Sequence, residues 1–511
     1  MRNTVIVPIG YITDGKKIIA VVCLQWGDTG KGKIVYMLAS EWADIVIRGT
    51  GGPNAGHTLI YNGKEFVCHL LPSGILNPKV MNVIGRGVAL DLRALDTEML
   101  ACPSLGFDNL FISHETGLLL PYHILEDLTS PKSKLIGTTG CGIGPFYADY
   151  YSRLSIFMND LANEEIFVDK FNKFMDAKQD LFNTLDRDQV KEIMFGKKHG
   201  LKFWNGAFYD QAKVINRQAV IDYYLGQLAP KFSHRMLNLN TLISDSLKTD
   251  KKILLEGAQG TLLSIDYGTT FYQTSSDCTI EGLAKGCGLK VSDVDLVLGI
   301  AKAPYMTRVG NGPFPSGFDS AESEQYCLDS SHNSACEKAL NLNIDEAANS
   351  SDEMTQGIAI RIKGGEYGAT TGRPRRTGWL DLVALKHSVQ INGPNIVLTK
   401  FDVMSNIKNI KICVGYEYCG SPMFYGDKII YPGDKLDTFV RESEILYLCK
   451  PVYKIFPGWN ENLREIRSAV ELPEEVKTIL RFIEDFTGGK IVILSVGPKN
   501  EETIVLNGGL R

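Results

Sequence analysis

Short runs of Val, Ile and Leu recur along the chain beside glycine turns. They lie at Ile18–Leu24, Ile45–Ile47, Ile253–Leu255, Leu296–Ile300, Ile396–Thr399 and Ile491–Ser495. The runs are continuous rather than alternating, which is the pattern of strands covered on both faces. Helix-like stretches separate them. The pattern therefore predicts an α/β fold around a central, mainly parallel β-sheet, with ligands at the carboxyl ends of the strands. Between about Asn159 and Leu247 glycines become rare and the polar–apolar period lengthens, which predicts a helical subdomain set into one domain spanning residues 16–511. Residues 1–15 read as an N-terminal extension, and Lys191–Gly206 as an irregular extra loop. The stretch Gly317–Glu353, rich in Ser, Asp, Glu and Asn, predicts an exposed polar excursion. No fixed-period repeat is present, which excludes a solenoid.

Composition changes this picture little. The 511 residues carry 44% hydrophobic and 22% charged side chains, ordinary values for a globular chain. A formal net charge of −5 gives no basis for a nucleic-acid or membrane-surface partner. There is no bilayer-length apolar run and no signal-peptide pattern. The 11 cysteines are scattered and odd in number, without zinc-site spacing, so the expectation is reduced thiols in a cytoplasmic protein.

The chemistry gathers after the predicted strands. Gln25-Trp26-Gly27-Asp28-Thr29-Gly30-Lys31-Gly32-Lys33 follows the first run and leads into a helix at Ile34–Ala39. A strand that turns through glycines into a helix N-terminus makes a P-loop-like anion site, although no Ser or Thr follows the Gly-Lys. Asp28 is the odd member, because a carboxylate beside phosphates is repelled unless it binds a metal or takes a proton. Gly51-Gly52-Pro53-Asn54-Ala55-Gly56-His57-Thr58 follows the second run, and His57 there is a candidate acid to pair with Asp28 as base. A structural loop histidine is the plainer alternative.

Further loops add weaker signals. Gly137–Pro145 brings Thr139 within a glycine-rich turn, Gln259 follows the run Ile253–Leu255, and Thr274 sits among hydroxyl residues. Gly368–Trp379 combines glycines with Arg373, Arg375 and Arg376, donors suited to carboxylate or phosphate. Thr399-Lys400-Phe401-Asp402 ends another strand. An ionised Asp402 would accept from guanine N1–H and the 2-amino group, and adenine offers neither, so this position would select GTP over ATP.

Together the stretches QWGDTGKGK, GGPNAGHT, LPSGIL, GTTGCGIGP, EGAQGTLL, TRVGNGPFP, GATTGRPRRTGWLDLVAL, LTKFD and LSVGP resemble the adenylosuccinate synthetase family, in its order, from about Ile18 to Pro498. The resemblance implies a ligase that joins L-aspartate to IMP using GTP and Mg2+, through 6-phosphoryl-IMP, in AMP biosynthesis. It implies Asp28 as base, with His57 and Lys31 as the other catalytic groups, and Mg2+ on Asp28 and the Gly56 carbonyl. The IMP shell would be Asp28, Thr29, Gly30, Lys31, Asn54, Ala55, Gly56, His57, Thr139, Gln259, Thr274 and Arg373, with Arg153 reaching the partner subunit's site in a homodimer. Aspartate would be held by Ala369, Thr370, Thr371, Gly372, Arg373, Pro374 and Arg375. GTP would be held by Gly27 through Lys33, by Gly56, His57 and Thr58, and by Arg375. Its base pocket would be Lys400, Phe401 and Asp402 with Ser495, Val496 and Gly497.

The sequence departs from the family pattern at Thr29, where glutamate is common, at Cys141, where arginine is common, and at Pro53. Two alternatives stand beside the main reading. One is the related branch that joins aspartate to dGMP, in which the loop aspartate is commonly replaced. The other is a GTP-binding relative impaired in catalysis by the changes at Thr29 and Cys141.

Overall fold

The structure is a computed structural model that describes residues 9–61, 64–102, 105–195, 206–329, 331–368 and 372–506. Its centre is a ten-stranded sheet. From edge to edge the order is Thr503–Val505, Lys490–Ser495, Asn395–Thr399, Leu296–Lys302, Ile18–Cys23, Ile253–Glu256, Ile45–Arg48, Met81–Ile84, Leu110–Ser113 and Met236–Leu237. Neighbouring strands run parallel except at the first edge, where Lys490–Ser495 and Thr503–Val505 are antiparallel.

All six apolar runs are strands of this sheet and lie side by side at its centre. Their side chains divide by parity. Ile18, Ala20, Val22 and Leu24 enter one buried cluster, while Ile19 and Val21 enter another on the opposite face. Ile45 and Ile47 part from Val46, and Ile253 and Leu255 from Leu254, in the same way. With both faces covered, neither parity can be polar, so the runs are unbroken. Ile34, Val35 and Leu38 of the helix Lys31–Glu41 seal one face. The helices Leu382–Asn392 and Glu474–Thr487 help seal the other.

The segment after Met158 is mainly helical, with Glu164–Ala177 the longest piece, and it packs Phe167, Phe171 and Phe174 into a separate apolar cluster. It also contributes the edge strand Met236–Leu237. The polar stretch 317–353 folds into three short helices, Ser320–Leu328, Ser334–Lys338 and Ile344–Ala348. Phe318, Ala347 and Ala348 are buried, anchoring an otherwise polar segment. Of the expected loop Lys191–Gly206, the helix Arg187–Phe195 takes the first part, and 196–205 lie outside the described residues. Within the N-terminal stretch, Gly10–Thr13 is a helical turn, and Ile9 is buried. No helix among the described residues is long and apolar enough to cross a membrane.

A second, five-stranded sheet was not foreshadowed by the apolar runs. Its strands are Tyr305–Arg308, Arg376–Asp381, Asn409–Tyr418, Lys435–Leu436 and Cys449–Pro457. The pairing of Tyr305–Arg308 with Arg376–Asp381 is antiparallel, and a bridge from Trp26 to Arg308 ties the sheet to the first glycine loop. Phe314 and Arg308 pack against Trp26 at that junction. The second sheet therefore carries Arg375 to the mouth of the first.

Leu255 is fully buried in the central sheet. Leu255→Ala is expected to lose about 3 kcal/mol of stability, the usual cost of an unfilled core cavity, read as a lower midpoint in a denaturant titration.

Candidate active site

A cavity of about 930 Å3 opens at the carboxyl ends of the central strands. Residues of 26–36, 54–59, 259–263, 362–367, 399–403 and 495–501 meet in it, joined by Val309, Arg375 and Arg464. Crossing of the chain at the centre of a parallel sheet leaves such a crevice by construction.

The first loop turns through Gly27 at φ 86°, Asp28 at φ 50° and Gly30 at φ 80°. Three left-handed residues in four lift the chain off the strand and aim the first amides of the helix Lys31–Glu41 at the cavity, where no side chain caps them. Asp is one of the few non-glycine residues that tolerate this region. The Asp28 carboxylate stands 2.7 Å from Nε of Arg375. That contact is one of charge, because the Nε–H makes no aligned hydrogen bond. Lys31 Nζ donates to the Gln259 carbonyl at 2.6 Å, and the buried Gln259 amide has no hydrogen-bond partner among the described residues. Thr29 is fully buried, and its carbonyl accepts from Thr399 Oγ1 at 2.7 Å.

His57 begins the strand His57–Tyr61 and is buried, with its Nδ1 2.5 Å from Glu256 Oε1. Glu256 also accepts from the Ser73 amide at 2.8 Å and from the Ser73 hydroxyl. Burial by itself would raise the Glu256 pKa, but His57 and the neighbouring Arg48 outweigh it and hold the carboxyl below its ordinary range. Burial lowers the His57 pKa despite Glu256. The ionised carboxylate thus assigns Nδ1 as the donor and leaves Nε2 as the ring's free position.

At the far end, Asp402 Oδ2 accepts from Arg464 Nε at 2.8 Å, and Arg464 Nη2 stands 2.8 Å from the same oxygen as an ion pair. Burial pushes the Asp402 pKa up, and Arg464 opposes the rise. Lys33 Nζ reaches across from the first helix to Ser495 Oγ and the Gly497 carbonyl, both at 2.7 Å. Burial draws the Lys33 pKa down to about 8. Lys400 Nζ donates to the Gly364 carbonyl at 2.6 Å.

The adenylosuccinate synthetase family model matches residues 20–504. The chain belongs to the adenylosuccinate synthetase family. An adenylosuccinate synthetase of Halothermothrix orenii is 39% identical over 499 residues, covering 96% of this chain and 98% of its own length. That of Clostridium novyi is 38% identical, over 95% of this chain and 98% of its own. The solved structure of the fully ligated adenylosuccinate synthetase from Plasmodium falciparum superposes with a TM-score of 0.73 at 32% identity, covering 96% of this chain and all of that one. A cyanophage S-2L succinoaminodeoxyadenylate synthetase bound to dGMP shares the fold alone, at TM-score 0.50 and 18% identity over 96% of this chain and 95% of its own. The reaction is that of the family: GTP-dependent joining of L-aspartate to IMP through a new carbon–nitrogen bond, toward AMP.

Of the residues singled out by sequence, Gly27 through Lys33, Asn54 through Thr58, Gln259, Arg375, Lys400, Asp402, Ser495 and Gly497 line the common cavity. Thr139, Arg153, Thr274, Gly372, Arg373, Pro374, Phe401 and Val496 do not. Phe401 is turned into the core, stacked on Trp459 at 5.2 Å. Arg153 is exposed just beyond the helix Ile143–Tyr151. Cys141 is a neutral thiol there, its pKa pushed up to about 11 by burial, where the family commonly carries a charge. Ala369, Thr370 and Thr371 lie outside the described residues.

Sequence reasoning missed Glu256, Arg464 and Glu366. Glu256 carried a signal, a carboxylate closing an apolar strand beside Gln259, whereas Arg464 and Glu366 come from remote or polar segments. Glu256→Gln keeps the shape but removes the charge that orients His57. Its kcat is expected to fall on the order of a hundredfold with KM for IMP and GTP nearly unchanged, measured by steady-state kinetics.

Proposed function

We propose that Asp28, His57 and Lys31 carry the chemistry of the ligation in this cavity. The observation behind this reading is a carboxylate built into a phosphate-binding loop and already faced by a cation. Asp28 takes the N1 proton of IMP, which places negative charge on O6. O6 then forms a bond to the γ-phosphorus of GTP as the bond to GDP breaks, giving 6-phosphoryl-IMP. The neutral amino group of L-aspartate adds to C6, phosphate departs with the C–O bond pair, the new C6–N nitrogen loses one proton to the departing phosphate, and adenylosuccinate remains. Lys31 and the uncapped amides of its helix neutralise the transferring group. The Nε2 of His57 faces the same region, and an incoming phosphate opposes the effect of burial on the ring, so the ring takes its second proton as the nucleotide arrives.

The site fits Mg2+ on chemical grounds. A cation already occupies the Asp28 carboxylate in the form of Arg375, and oxygen donors, here Asp28 and the Gly56 carbonyl, suit a hard ion that keeps phosphate and water ligands. When bound, Mg2+ would offset the charge of the β- and γ-phosphates.

The remaining assignments follow the same reading. Asn54, Ala55, Gln259 and the loops bearing Thr139 and Thr274 face IMP, and the orphaned amide of Gln259 awaits a ligand. Arg373 with the stretch 369–375 takes aspartate. Asp402, Lys400, Ser495 and Gly497 take the guanine. Arg153, exposed and outside its own chain's cavity, supplies the IMP phosphate of a partner subunit in a homodimer. Unpaired thiols at all 11 cysteines favour a reducing cytoplasm. The dGMP-using branch has support only at the level of fold. The impaired-relative reading is disfavoured because Asp28, Lys31, His57, Lys400 and Asp402 share one cavity.

The test is phosphate release by the purified protein with IMP, aspartate and GTP omitted in turn. All three are expected to be required, and Asp28→Asn is expected to slow release on the order of a thousandfold. Release without IMP would overturn the reading. Separately, Asp402→Asn is expected to raise KM for GTP and shrink the GTP-over-ATP preference at least about tenfold, because a neutral amide can pair with either base.

A further inference from the structure

Glu366 is fully buried, yet four donors from different parts of the chain converge on its carboxylate. Lys302 Nζ lies 2.7 Å from Oε2, and Arg375 Nη1 lies 3.0 Å from the same oxygen. Tyr305 OH lies 2.6 Å from Oε1, and Lys400 Nζ lies 3.1 Å from it. Main-chain bonds repeat the theme. The Arg375 amide donates to the Glu366 carbonyl at 2.9 Å, and Tyr367 bridges Pro374. Glu366 thus sits at the neck of the loop 368–375.

Two of the four donors, Arg375 and Lys400, also line the cavity. Arg375 meets Asp28 at the phosphate loop, while Lys400 lies two residues before Asp402 of the proposed base pocket. Burial alone would disfavour the charged carboxylate, but Lys302, Lys400 and Arg375 outweigh it and keep Glu366 ionised well below its ordinary pKa. Three cations around one buried anion would repel one another without it.

We propose that Glu366 is a positioning residue for the nucleotide, holding Arg375 and Lys400 in place on the GTP site through one buried carboxylate. This rests on the reading of the cavity as the GTP site. Glu366 touches no substrate, and its effect passes through the two cations. Lys302, itself buried and hydrogen-bonded to Thr307 at 2.8 Å, is the fixed support on the protein side. The backbone of Lys302 is pinned in turn to Gln25, whose amide donates to its carbonyl at 2.9 Å.

The plainer role, a carboxylate that merely neutralises Lys302, is separable by experiment. Glu366→Gln removes the charge with little change in shape, and Lys302→Met/Glu366→Gln removes the buried pair together. Glu366→Gln is expected to raise KM for GTP about tenfold or more, with KM for IMP within about twofold. The double variant is expected to regain most of the melting temperature lost by Glu366→Gln but to keep the raised KM for GTP. In an Arg375→Ala background, Glu366→Gln is expected to add much less than it does alone. A double variant whose KM for GTP returns to that of the unaltered protein would overturn the proposal. So would full additivity with Arg375→Ala. Asp402→Asn serves as the control: if it raises KM for GTP while Glu366→Gln does not, only the role of Glu366 falls. If neither variant affects GTP, the nucleotide reading of the cavity falls with it.

Discussion

A carboxylate inside a phosphate-binding loop is the constraint around which the rest of this molecule is arranged. Asp28 is held in a left-handed conformation between glycines, at a local cost of about 1 kcal/mol. Without a counter-charge it would repel the anion its own loop attracts. The structure supplies one, Arg375, on a strand-end of the second sheet that reaches back over the first. The central sheet alone could make an anion site. It could not make one with a charge-balanced carboxylate in it.

Hence the second sheet is part of the chemistry rather than an appendage. Its strands Tyr305–Arg308 and Arg376–Asp381 fix the two sides of the arginine loop, and the Trp26–Arg308 bridge sets that assembly against the glycine turn. Glu366 closes the same circuit from below, where Lys302 leaves one sheet and Tyr305 enters the other. Catalytic geometry of this kind depends on rigid elements around the reacting groups, and here those elements are two sheets bound by a few buried ionic contacts.

How far the sequence could be read follows from how each element is buried. Ile18–Leu24 and its five companions were legible because strands covered on both faces can hold no polar parity, and their observed ends fall within about one or two residues of the apolar runs. The strands Asn409–Tyr418 and Cys449–Pro457 mix buried and exposed positions, with Lys and Glu among them, so the same criterion passes over them. In the site, Asp28 and Asp402 stand out because each lies a few residues past a strand end, and Lys31 and His57 because each closes a glycine-rich stretch that follows a strand. Phe401 shared a motif with Asp402, yet its side chain belongs to the core, since a motif fixes spacing along the chain and not the direction of each residue. Glu366 and Arg464 had no local pattern at all. Their significance comes from partners 64 and 62 residues distant in sequence, Lys302 and Asp402 respectively.

The cavity also shows why so much charge is tolerated before any substrate is present. Several oxygens of the cavity already have an internal cation: Arg375 on Asp28, Arg464 on Asp402, and Lys33 on Ser495 and Gly497. Binding is then an exchange of partners instead of the stripping of water from isolated ions, which is the expensive step in burying charge. Arg464 donates its Nε–H to Asp402 Oδ2, a carboxylate oxygen that a guanine edge could take over. Arg375, whose Nε–H is not aligned on Asp28, is poised to yield that carboxylate to another cation while Glu366 keeps hold of its Nη1.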